Sequence, residues 1–306
     1  MDATPSVSLP ADAGTGIAQR PPVAIDIGPR RFDWSSRTYV MGIINVTPDS
    51  FSGDGLLAGR GDPVAAALDQ AQRMASEGAD VLDIGGQSTR PGHAQVTPEE
   101  ERRRIEPVIR ALREAIPDVA LSIDTSDAGV AEAALAAGAD MVNDVWGVDA
   151  QPDLLALLAR RAVPLVVMHN RREARYRNVV SEVLADLSGA LDRALAAGIA
   201  WEQLIVDPGI GFGKSAAHNV ALLAGLHLLA ALGRPILLGT SRKSTIGKVL
   251  DLPASERLEG TLATTALGIA AGVDIIRVHD VGPNVRAARM ADAIVRGGWS
   301  EAEGAP

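Results

Sequence analysis

Residues 119–144 read VALSIDTSDAGVAEAALAAGADMVND, a short apolar run, an alanine-rich stretch with helical spacing and a second apolar run. Both apolar runs are near-continuous rather than alternating, which is typical of parallel strands that are covered on both faces. Gly138 ends the helical stretch just before the second run, where a left-handed residue is favoured. The segment therefore predicts a strand, a helix and a second strand parallel to the first.

The same unit recurs along the chain from about Tyr39 onward. Apolar runs predict strands at Val40–Ile44, Val81–Ile84, Ala120–Ile123, Met141–Val142, Leu165–Met168, Leu204–Val206, Ile236–Leu238 and Ile275–Val278. Helical spacing occurs between and after them, at Val64–Ala75, Ile105–Ala115, Val130–Ala137, Leu154–Ala159, Val183–Ala197, Ala221–Ala231, Leu262–Ala271 and Val285–Val295. Thr97 is a predicted helix cap, and Gly78, Gly198 and Gly272 are predicted to end helices as Gly138 does.

Eight strand–helix pairs in about 260 residues predict one (β/α)8 TIM barrel of the α/β class. A doubly wound open sheet is the alternative, but its glycine-rich first turn is replaced here by Asn45-Val46-Thr47-Pro48-Asp49. We predict an irregular, flexible N-terminal extension over residues 1–36, the barrel over 37–298 and a C-terminal tail over 299–306. The extension is rich in Pro, Ala and Gly and shows no clear period.

Composition narrows the function classes. The 306 residues are 47% hydrophobic and carry a net charge of −9, which disfavours sequence-independent binding of nucleic acids. There is no cysteine, so disulfides, thiolate metal sites and thiol catalysis are excluded. No apolar run is long enough to span a membrane and no signal core precedes Met41, so we expect a cytoplasmic protein.

In a barrel, the chemistry lies at the carboxyl ends of the strands. The polar residues at those ends are Asn45, Asp83, Asp124, Asn143, Asp144, His169, Asn170, Asp207, Thr240, Ser241, Arg242, Lys243, Arg277 and His279. Asp83 and Asp144 fit a helix-cap role as well as a site role. No histidine pair has metal-ligand spacing, and no Ser/His/Asp order stands out.

Asp124 and Asp207 follow the third and sixth predicted barrel strands and could face each other across the mouth. A flat ligand with a guanidine-like edge, such as an aminopyrimidinone ring, would satisfy both acids. The alternative is that they pair with nearby arginine or lysine. Paired acids also fit glycoside hydrolysis, but the surrounding cations argue against it.

The lysines lie late in the chain. Its three lysines are Lys214, Lys243 and Lys248. Arg277 and His279 lie two residues apart, on the same side of the eighth strand, where barrels often bind phosphate. Residues 208–215, PGIGFGKS, are similar to a phosphate-binding P-loop, but proline replaces its first required glycine.

Five separated segments resemble the motifs of the dihydropteroate synthase family, in the same order. They are MGIINVTPDSFS (41–52), GGQSTRPG (85–92), DPGIGFGK (207–214), TSRKS (240–244) and RVHD (277–280). The resemblance extends over roughly residues 38–295 and implies the same barrel. It also implies an enzyme that joins p-aminobenzoate to 6-hydroxymethyl-7,8-dihydropterin diphosphate, releasing pyrophosphate and forming 7,8-dihydropteroate.

The resemblance assigns residues to each part of that reaction. Pterin contacts would be Asp124, Asn143, Met168, Asp207, Phe212, Gly239, Lys243 and Arg277, with Arg277 stacked over the ring. The diphosphate would be held by Asn45, Arg277 and His279, and Mg²⁺ by Asn45. The p-aminobenzoate side would be Phe51, Thr89, Arg90, Pro91 and Ser244. Catalysis would rest on Asn45, Lys243, Arg277 and His279, by a dissociative displacement without an enzyme nucleophile, and the family implies a homodimer built through the last helices.

Two departures and several alternatives stay open. Gln87 stands where the family usually has glutamate, and the loop at 169–177 is longer and more basic than usual. Asp49 or Asp54 in the glycine-rich lid at 47–61 could orient the amine. The alternative functions are a pterin-binding methyltransferase that serves a corrinoid, a paralogue that binds pterin without turnover, and an aldolase that uses Lys243 in a Schiff base.

Overall fold

The computed structural model describes residues 24–47, 62–87, 96–297 and 299. After a hairpin of β1 (Ala24–Ile27) and β2 (Arg30–Asp33), eight parallel strands follow. They are β3 (Tyr39–Asn45), β4 (Val81–Gly85), β5 (Ala120–Asp124), β6 (Met141–Asp144), β7 (Leu165–Met168), β8 (Leu204–Asp207), β9 (Leu237–Leu238) and β10 (Ile275–Val278). Their order is β8-β7-β6-β5-β4-β3-β10-β9, and a bridge between Val206 and Ile236 joins the two ends. The predicted TIM barrel is confirmed.

Helices surround the barrel. They are α1 (Pro63–Ser76), α2 (Pro98–Ala115), α3 (Ala128–Ala137), α4 (Pro152–Arg161), α5 (Val179–Ala196), α6 (Ala216–Ala224), α7 (Ser244–Leu250), α8 (Leu258–Ala270) and α9 (Val281–Val295). Thr97 caps α2 by accepting from the Glu100 amide at 3.3 Å, as predicted. The four predicted helix-ending glycines are left-handed, with φ between +92° and +118°. None of the helices in the described ranges has the length and apolar character needed to cross a membrane.

The prediction of one helix over residues 221–231 is wrong. The α-helix ends at Ala224, and a 3₁₀ helix follows at Leu226–Leu232. Gly225 lies at the junction, where an added Cβ would be only 2.9 Å from a methyl carbon of Val180 on α5. Close packing of the two elements therefore interrupts a sequence whose spacing alone is continuous.

The described part of the predicted N-terminal extension, residues 24–36, is more ordered than predicted. Residues 24–27 and 30–33 form an antiparallel hairpin around Gly28, whose φ is +55°. Ile27, Phe32 and Trp34 are buried in one cluster with the first residues of the barrel strands, including Tyr39. The hairpin thus covers the amino end of the barrel. Its apolar residues are too few to give a periodic signal, so the sequence analysis missed it.

Aspartates at the amino end of the barrel fasten neighbouring strands together. Asp80, Asp140 and Asp274 each accept a hydrogen bond from the backbone amide of another strand or its approach, at 2.8–2.9 Å. Asp80 also receives the guanidinium groups of Arg30 and Arg37, at 2.7–3.0 Å. The carboxylates satisfy backbone groups that would otherwise be buried without partners.

We expect Asp80→Ala to lower the free energy of unfolding by about 1–3 kcal/mol, because it leaves the buried Val40 amide without its acceptor and two partly exposed guanidinium groups without their ion-pair partner. Urea unfolding followed by circular dichroism measures the change. Asp26→Ala is the matched control, because Asp26 is exposed and its ion pair with the exposed Arg31 spans 3.8 Å. Equal stability of the two variants would show that Asp80 does not fasten the hairpin to the barrel.

Candidate functional site

The strand register places the predicted site residues side by side at the carboxyl rim. Asn45 pairs with Gly85, Gly85 with Asp124, and Asp124 with Asn143 across β3 to β6. Across the mouth, Met168 of β7 pairs with Asp207 of β8. All of these are the last or next-to-last residues of their strands. The barrel therefore brings together residues that are up to 162 positions apart in the sequence, counted from Asn45 to Asp207.

One half of the site is a buried ion-pair network around Arg277. Its Nε donates to Asp83 Oδ2 at 2.6 Å and its Nη2 to Asp124 Oδ2 at 2.8 Å. Asp83 Oδ2 also accepts from Asn143 Nδ2 at 3.0 Å. The Asp83 side chain is fully buried, and Asp124 is 9% exposed. Two buried carboxylates require a counter-ion, and Arg277 supplies it.

This arrangement bears on the predicted roles of Asp124 and Arg277. Asp124 does pair with a cation, which the sequence analysis left open as the alternative to ligand binding. Arg277 was expected to stack on a ring and hold a diphosphate, whereas here its guanidinium lies against Asp83 and Asp124. A guanidinium on these acids occupies the position that a guanidine-like ligand edge would need. The same observation shows that the acids recognise this type of donor.

Three oxygen atoms of the network are buried without a hydrogen-bond partner. Among the described residues, these are Asp83 Oδ1, Asp124 Oδ1 and Asn143 Oδ1. A buried acceptor without a donor costs about 1–3 kcal/mol, so such atoms mark a place where a ligand donates hydrogen bonds. The three atoms belong to one network at one edge of the mouth, where a donor-rich group would satisfy them.

The other half of the site contains Asp207, Lys243 and Gly239. A Cβ added to Gly239 would lie 3.9 Å from Lys243 Nζ, 4.0 Å from Asp207 Oδ2 and 3.9 Å from Arg277 Cβ. Lys243 Nζ donates to the Ile210 carbonyl and lies 4.4 Å from the centre of the Phe212 ring. The absence of a side chain at position 239 keeps space open between these groups.

The loops after β9 and β10 are tied to each other. The His279 amide donates to Ser241 Oγ at 3.2 Å, and His279 Nδ1 lies 2.9 Å from the same oxygen. Arg242 forms a bidentate ion pair with Asp280, at 2.9 and 2.5 Å. Ser244, predicted for the p-aminobenzoate side, is the exposed first residue of α7. These contacts therefore fix the loop that carries Lys243 relative to the loop that carries His279.

Burial shifts the acids and the lysine of the site in opposite directions, because it penalises the charged form of each. It raises the pKa of Asp124 to about 7, opposed by Arg277 and reinforced by Asp83. Burial also raises the pKa of Asp207, against the attraction of Lys243. The pKa of Lys243 falls to about 8 through burial, opposed by Asp207.

Several predicted residues lie outside the described part of the chain. These are Phe51, Thr89, Arg90 and Pro91, together with Asp49 and Asp54 of the lid. Their assignments stay predictions. Among the described residues, the structure brings together Asp124, Asn143, Asp207, Phe212, Gly239, Lys243 and Arg277, with Asn45, Met168, Ser244 and His279 at the same rim.

The sequence analysis left open two aspartates that the structure now separates. Asp83 belongs to the site, and its signal was an acid within the otherwise apolar strand Val81–Gly85. Asp144 lies outside the Arg277 network: its Oδ1 accepts from Ser126 Oγ and from the Trp146 amide, while its Oδ2 is buried without a partner. Burial raises the pKa of Asp144 to about 6.

Comparison with known proteins agrees with this geometry. Residues 41–279 match the model of the family described as pterin binding enzyme. The chain is 47% identical over 271 residues to a dihydropteroate synthase of Clostridium beijerinckii, covering 88% of this chain and 99% of that protein.

Solved structures are similar to the same extent. A dihydropteroate synthase of Xanthomonas albilineans with 4-aminobenzoic acid is 43% identical, with a TM-score of 0.83, covering 90% of this chain and 98% of the other. The same organism's enzyme in complex with 7,8-dihydropteroate is 41% identical, with a TM-score of 0.80 and coverage of 89% and 98%.

Proposed function

The chain belongs to the pterin-binding enzyme family, and on that premise we propose that it is a dihydropteroate synthase. The reaction joins p-aminobenzoate to 6-hydroxymethyl-7,8-dihydropterin diphosphate and gives 7,8-dihydropteroate and pyrophosphate. The observation that carries this function is the group of buried, unpartnered oxygens on Asp83, Asp124 and Asn143. The 2-amino group and ring N–H of a pterin are donors of the type that these acceptors lack.

The pterin ring would lie between the two halves of the site. Asp124 and Asn143 would accept from its donor edge, and Asp207 would accept from the opposite side, next to Lys243. Arg277 would give up its bond to Asp124, which then accepts from the ligand, and would keep its bond to Asp83. Its guanidinium is then free to stack over the ring. This exchange lets the ligand bind without leaving Asp124 or Arg277 buried and unpaired.

The displacement needs no enzyme nucleophile. The carbon–oxygen bond of the pterin methylene breaks, its electron pair leaves with the diphosphate, and the electron-rich pterin stabilises the resulting cation. The amine nitrogen of p-aminobenzoate then forms the new bond and loses a proton. Arg277 and His279 would stabilise the negative charge on the departing diphosphate. The hydrogen bond of Lys243 to Ile210, its contact with the Phe212 ring and the attraction of Asp207 support a binding role for it rather than an aldolase role.

A magnesium ion fits the donor set in one particular way. No cluster of three or more acidic, histidine or cysteine ligands exists within the ranges that the structure describes. Mg²⁺ commonly takes only one or two protein oxygens and binds substrate phosphates for the rest. The Asn45 amide oxygen at the rim suits this mode, so Asn45 would hold an ion that arrives with the diphosphate and neutralises its charge.

The p-aminobenzoate side is supported by fewer described residues. Ser244 at the exposed start of α7 lies next to Lys243 in the sequence, so the amine would approach from the outer part of the mouth. We propose that Phe51, Thr89, Arg90 and Pro91 complete this side, on the strength of the motif resemblance alone.

Turnover by the purified chain tests the function directly. With dihydropterin diphosphate, p-aminobenzoate and Mg²⁺, we expect pyrophosphate and 7,8-dihydropteroate in a one-to-one ratio, measured by a coupled phosphate assay and by chromatography. Omitting p-aminobenzoate should suppress dihydropteroate. Pterin binding by folded protein without any product would contradict the synthase and favour a binding paralogue.

Pterin affinity should have a bell-shaped pH dependence. Asp124, with a pKa of about 7, is a carboxylate only above that pH, and Lys243, with a pKa of about 8, is an ammonium only below it. The state with both charges is most populated between these values, so affinity falls towards pH 5.5 and pH 9.5. Calorimetry at constant ionic strength measures it. Asp124→Asn should lose the acid limb and keep the alkaline one, and a flat profile for the unaltered chain would contradict the assignment.

We further propose that a second copy of this chain covers an apolar groove of about 830 Å³ between α6, α7 and α8. The groove is lined by Val220, Val249, Leu250 and Leu267, which are 45–71% exposed. An exposed apolar patch of this kind is typical of an interface. The last-helix homodimer of the family supports the choice of partner.

The dimer is tested by changing one exposed leucine. Leu267→Glu should shift the protein from dimer to monomer in sedimentation velocity runs, since it places a charge in the apolar interface. Leu195→Glu on α5 is the control, because Leu195 is exposed but does not line the groove. A monomeric unaltered chain, or a Leu267→Glu variant that remains dimeric, would contradict the proposed interface.

A further inference from the structure

Lys214 is a lysine that the reaction does not use, yet four acceptors surround its ammonium. Its Nζ donates to the carbonyls of Gly209 and Phe212 at 3.0 Å each, and to the His169 carbonyl at 3.3 Å. It also lies 2.8 Å from His169 Nδ1. The three ammonium protons are shared among four acceptors, so the Lys214 side chain joins the 207–214 loop to His169. Motif similarity to a P-loop therefore has a different explanation, since Lys214 binds its own loop.

The loop that surrounds Lys214 carries Asp207 and the groups that contact Lys243 in the pterin site. Residues 207–214 begin with Asp207 and include Ile210, which accepts from Lys243, and Phe212, whose ring lies under the Lys243 ammonium. The loop contacts Lys214 through backbone carbonyls rather than side chains. Loss of the Lys214 ammonium would therefore move the groups that face the ligand.

The loop cannot hold this shape through local preference. Gly209, Gly211 and Gly213 all have positive φ, between +55° and +86°. A Cβ on Gly209 would come within 1.8 Å of the His169 carbonyl oxygen, so glycine is required there for close approach. Three glycines give a loop a large conformational entropy when it is free. The carbonyl contacts of Lys214 offset that cost.

His169, which contacts Lys214, is in turn held by a neighbouring helix. His169 is fully buried, its amide donates to the Asp207 carbonyl, and its Nε2 lies 3.1 Å from Asp186 on α5. Burial lowers the pKa of His169 to about 4, so at neutral pH Nε2–H donates to Asp186 and Nδ1 accepts from Lys214. Arg171 contacts the same oxygen, Asp186 Oδ2, at 2.8 Å.

We propose that Lys214 is a positioning residue of the pterin site, whose ammonium fixes the 207–214 loop so that Asp207, the Ile210 carbonyl and Phe212 face the ligand. The proposal rests on the proposed pterin-binding function. It explains why lysine is used in a chain that otherwise favours arginine, because a compact ammonium fits between converging carbonyls where a planar guanidinium does not. Lys214 itself does not contact the ligand.

The first test measures pterin affinity by calorimetry at pH 7, where the Asp124 carboxylate and the Lys214 ammonium are both populated, since burial raises the pKa of Asp124 to about 7 and lowers that of Lys214 to about 7. Lys214→Met removes every donor, and we expect it to weaken pterin binding roughly 30-fold, since buried carbonyls lose their partners. The KM for p-aminobenzoate should change less than about threefold. Lys248→Met on α7 is the matched control, because Lys248 is exposed and should leave pterin affinity unchanged.

Chemical rescue separates positioning from general destabilisation. Lys214→Ala opens space for a small cation among the carbonyls, so ammonium chloride should restore part of its pterin affinity. Tetramethylammonium chloride at equal concentration has the same charge and no donor, and should restore none. If Lys214→Met does not fold, Lys214→Gln, which keeps two N–H donors, takes its place with a smaller expected loss.

The outcomes are distinguishable from failure of the proposed function. If the unaltered chain binds no pterin, the function itself is wrong. If the unaltered chain binds pterin and Lys214→Met binds it within threefold, Lys214 does not position the loop. A loss of melting temperature with unchanged affinity, or rescue by both cations alike, would likewise overturn the proposal.

Discussion

Replacing Asp124 with alanine should abolish most of the pterin affinity while the barrel still folds. The variant removes the carboxylate that accepts from the pterin edge, and two charge-assisted hydrogen bonds contribute about 1.5–3 kcal/mol each. The expected loss is therefore roughly 10²–10⁴-fold in Kd. The fold should survive because Arg277 keeps Asp83 as its counter-ion. Calorimetric titration with a pterin measures the affinity, and circular dichroism confirms the fold.

Two further variants interpret that result. Asp124→Asn keeps the shape and one acceptor but loses the charge, so its affinity should lie between those of the alanine variant and the unaltered chain. Asp192→Ala on the exposed face of α5 should behave like the unaltered chain. Unchanged pterin affinity in Asp124→Ala would remove Asp124 from the site.

Arg277→Ala should reduce both activity and stability, through separate causes. Loss of the cation that faces the departing diphosphate should lower kcat/KM by on the order of 10²–10³-fold. Leaving Asp83 and Asp124 buried without a counter-ion should lower the free energy of unfolding by about 3–5 kcal/mol. Pyrophosphate release measures the first effect, and urea unfolding measures the second.

A second substitution separates the two roles of Arg277. Adding Asp83→Asn to Arg277→Ala removes one buried charge, so it should recover part of the lost stability without recovering activity. Arg277→Lys supplies a point charge that cannot reach both acids in a fork, so it should fold but turn over slowly. If the double variant regained activity together with stability, Arg277 would act only through the fold.

The barrel could be predicted from the sequence because its signals are local. Each strand is a short apolar run, each helix has its own periodicity, and a glycine such as Gly138 ends a helix where a left-handed residue is needed. The hairpin at residues 24–33 carries no such signal. Its burial depends on Phe32 and the adjoining Trp34 meeting residues such as Ile205 and Ile275 that belong to distant strands.

The site could be predicted in outline for a similar reason. Polar residues at strand ends must meet at one rim of a closed barrel, so Asp124, Asn143, Asp207 and Lys243 could be grouped in advance. The partners could not be predicted. Arg277 reaches across the mouth to Asp83 and Asp124, which precede it by 194 and 153 residues, and no spacing in the chain encodes that contact.

The sequence alone determined this protein's barrel, the rim that carries its chemistry and its family resemblance. Hydrophobic periodicity, helix-ending residues and motif order are all properties of residues that are close together in the chain. Only the tertiary structure decided which acids Arg277 binds, that Asp83 joins this network while Asp144 accepts from Ser126 and Trp146, and that Lys214 donates to carbonyls of its own loop. Those outcomes depend on burial and on which charges lie within a few ångströms, and both are set by the packing of strands far apart in the chain.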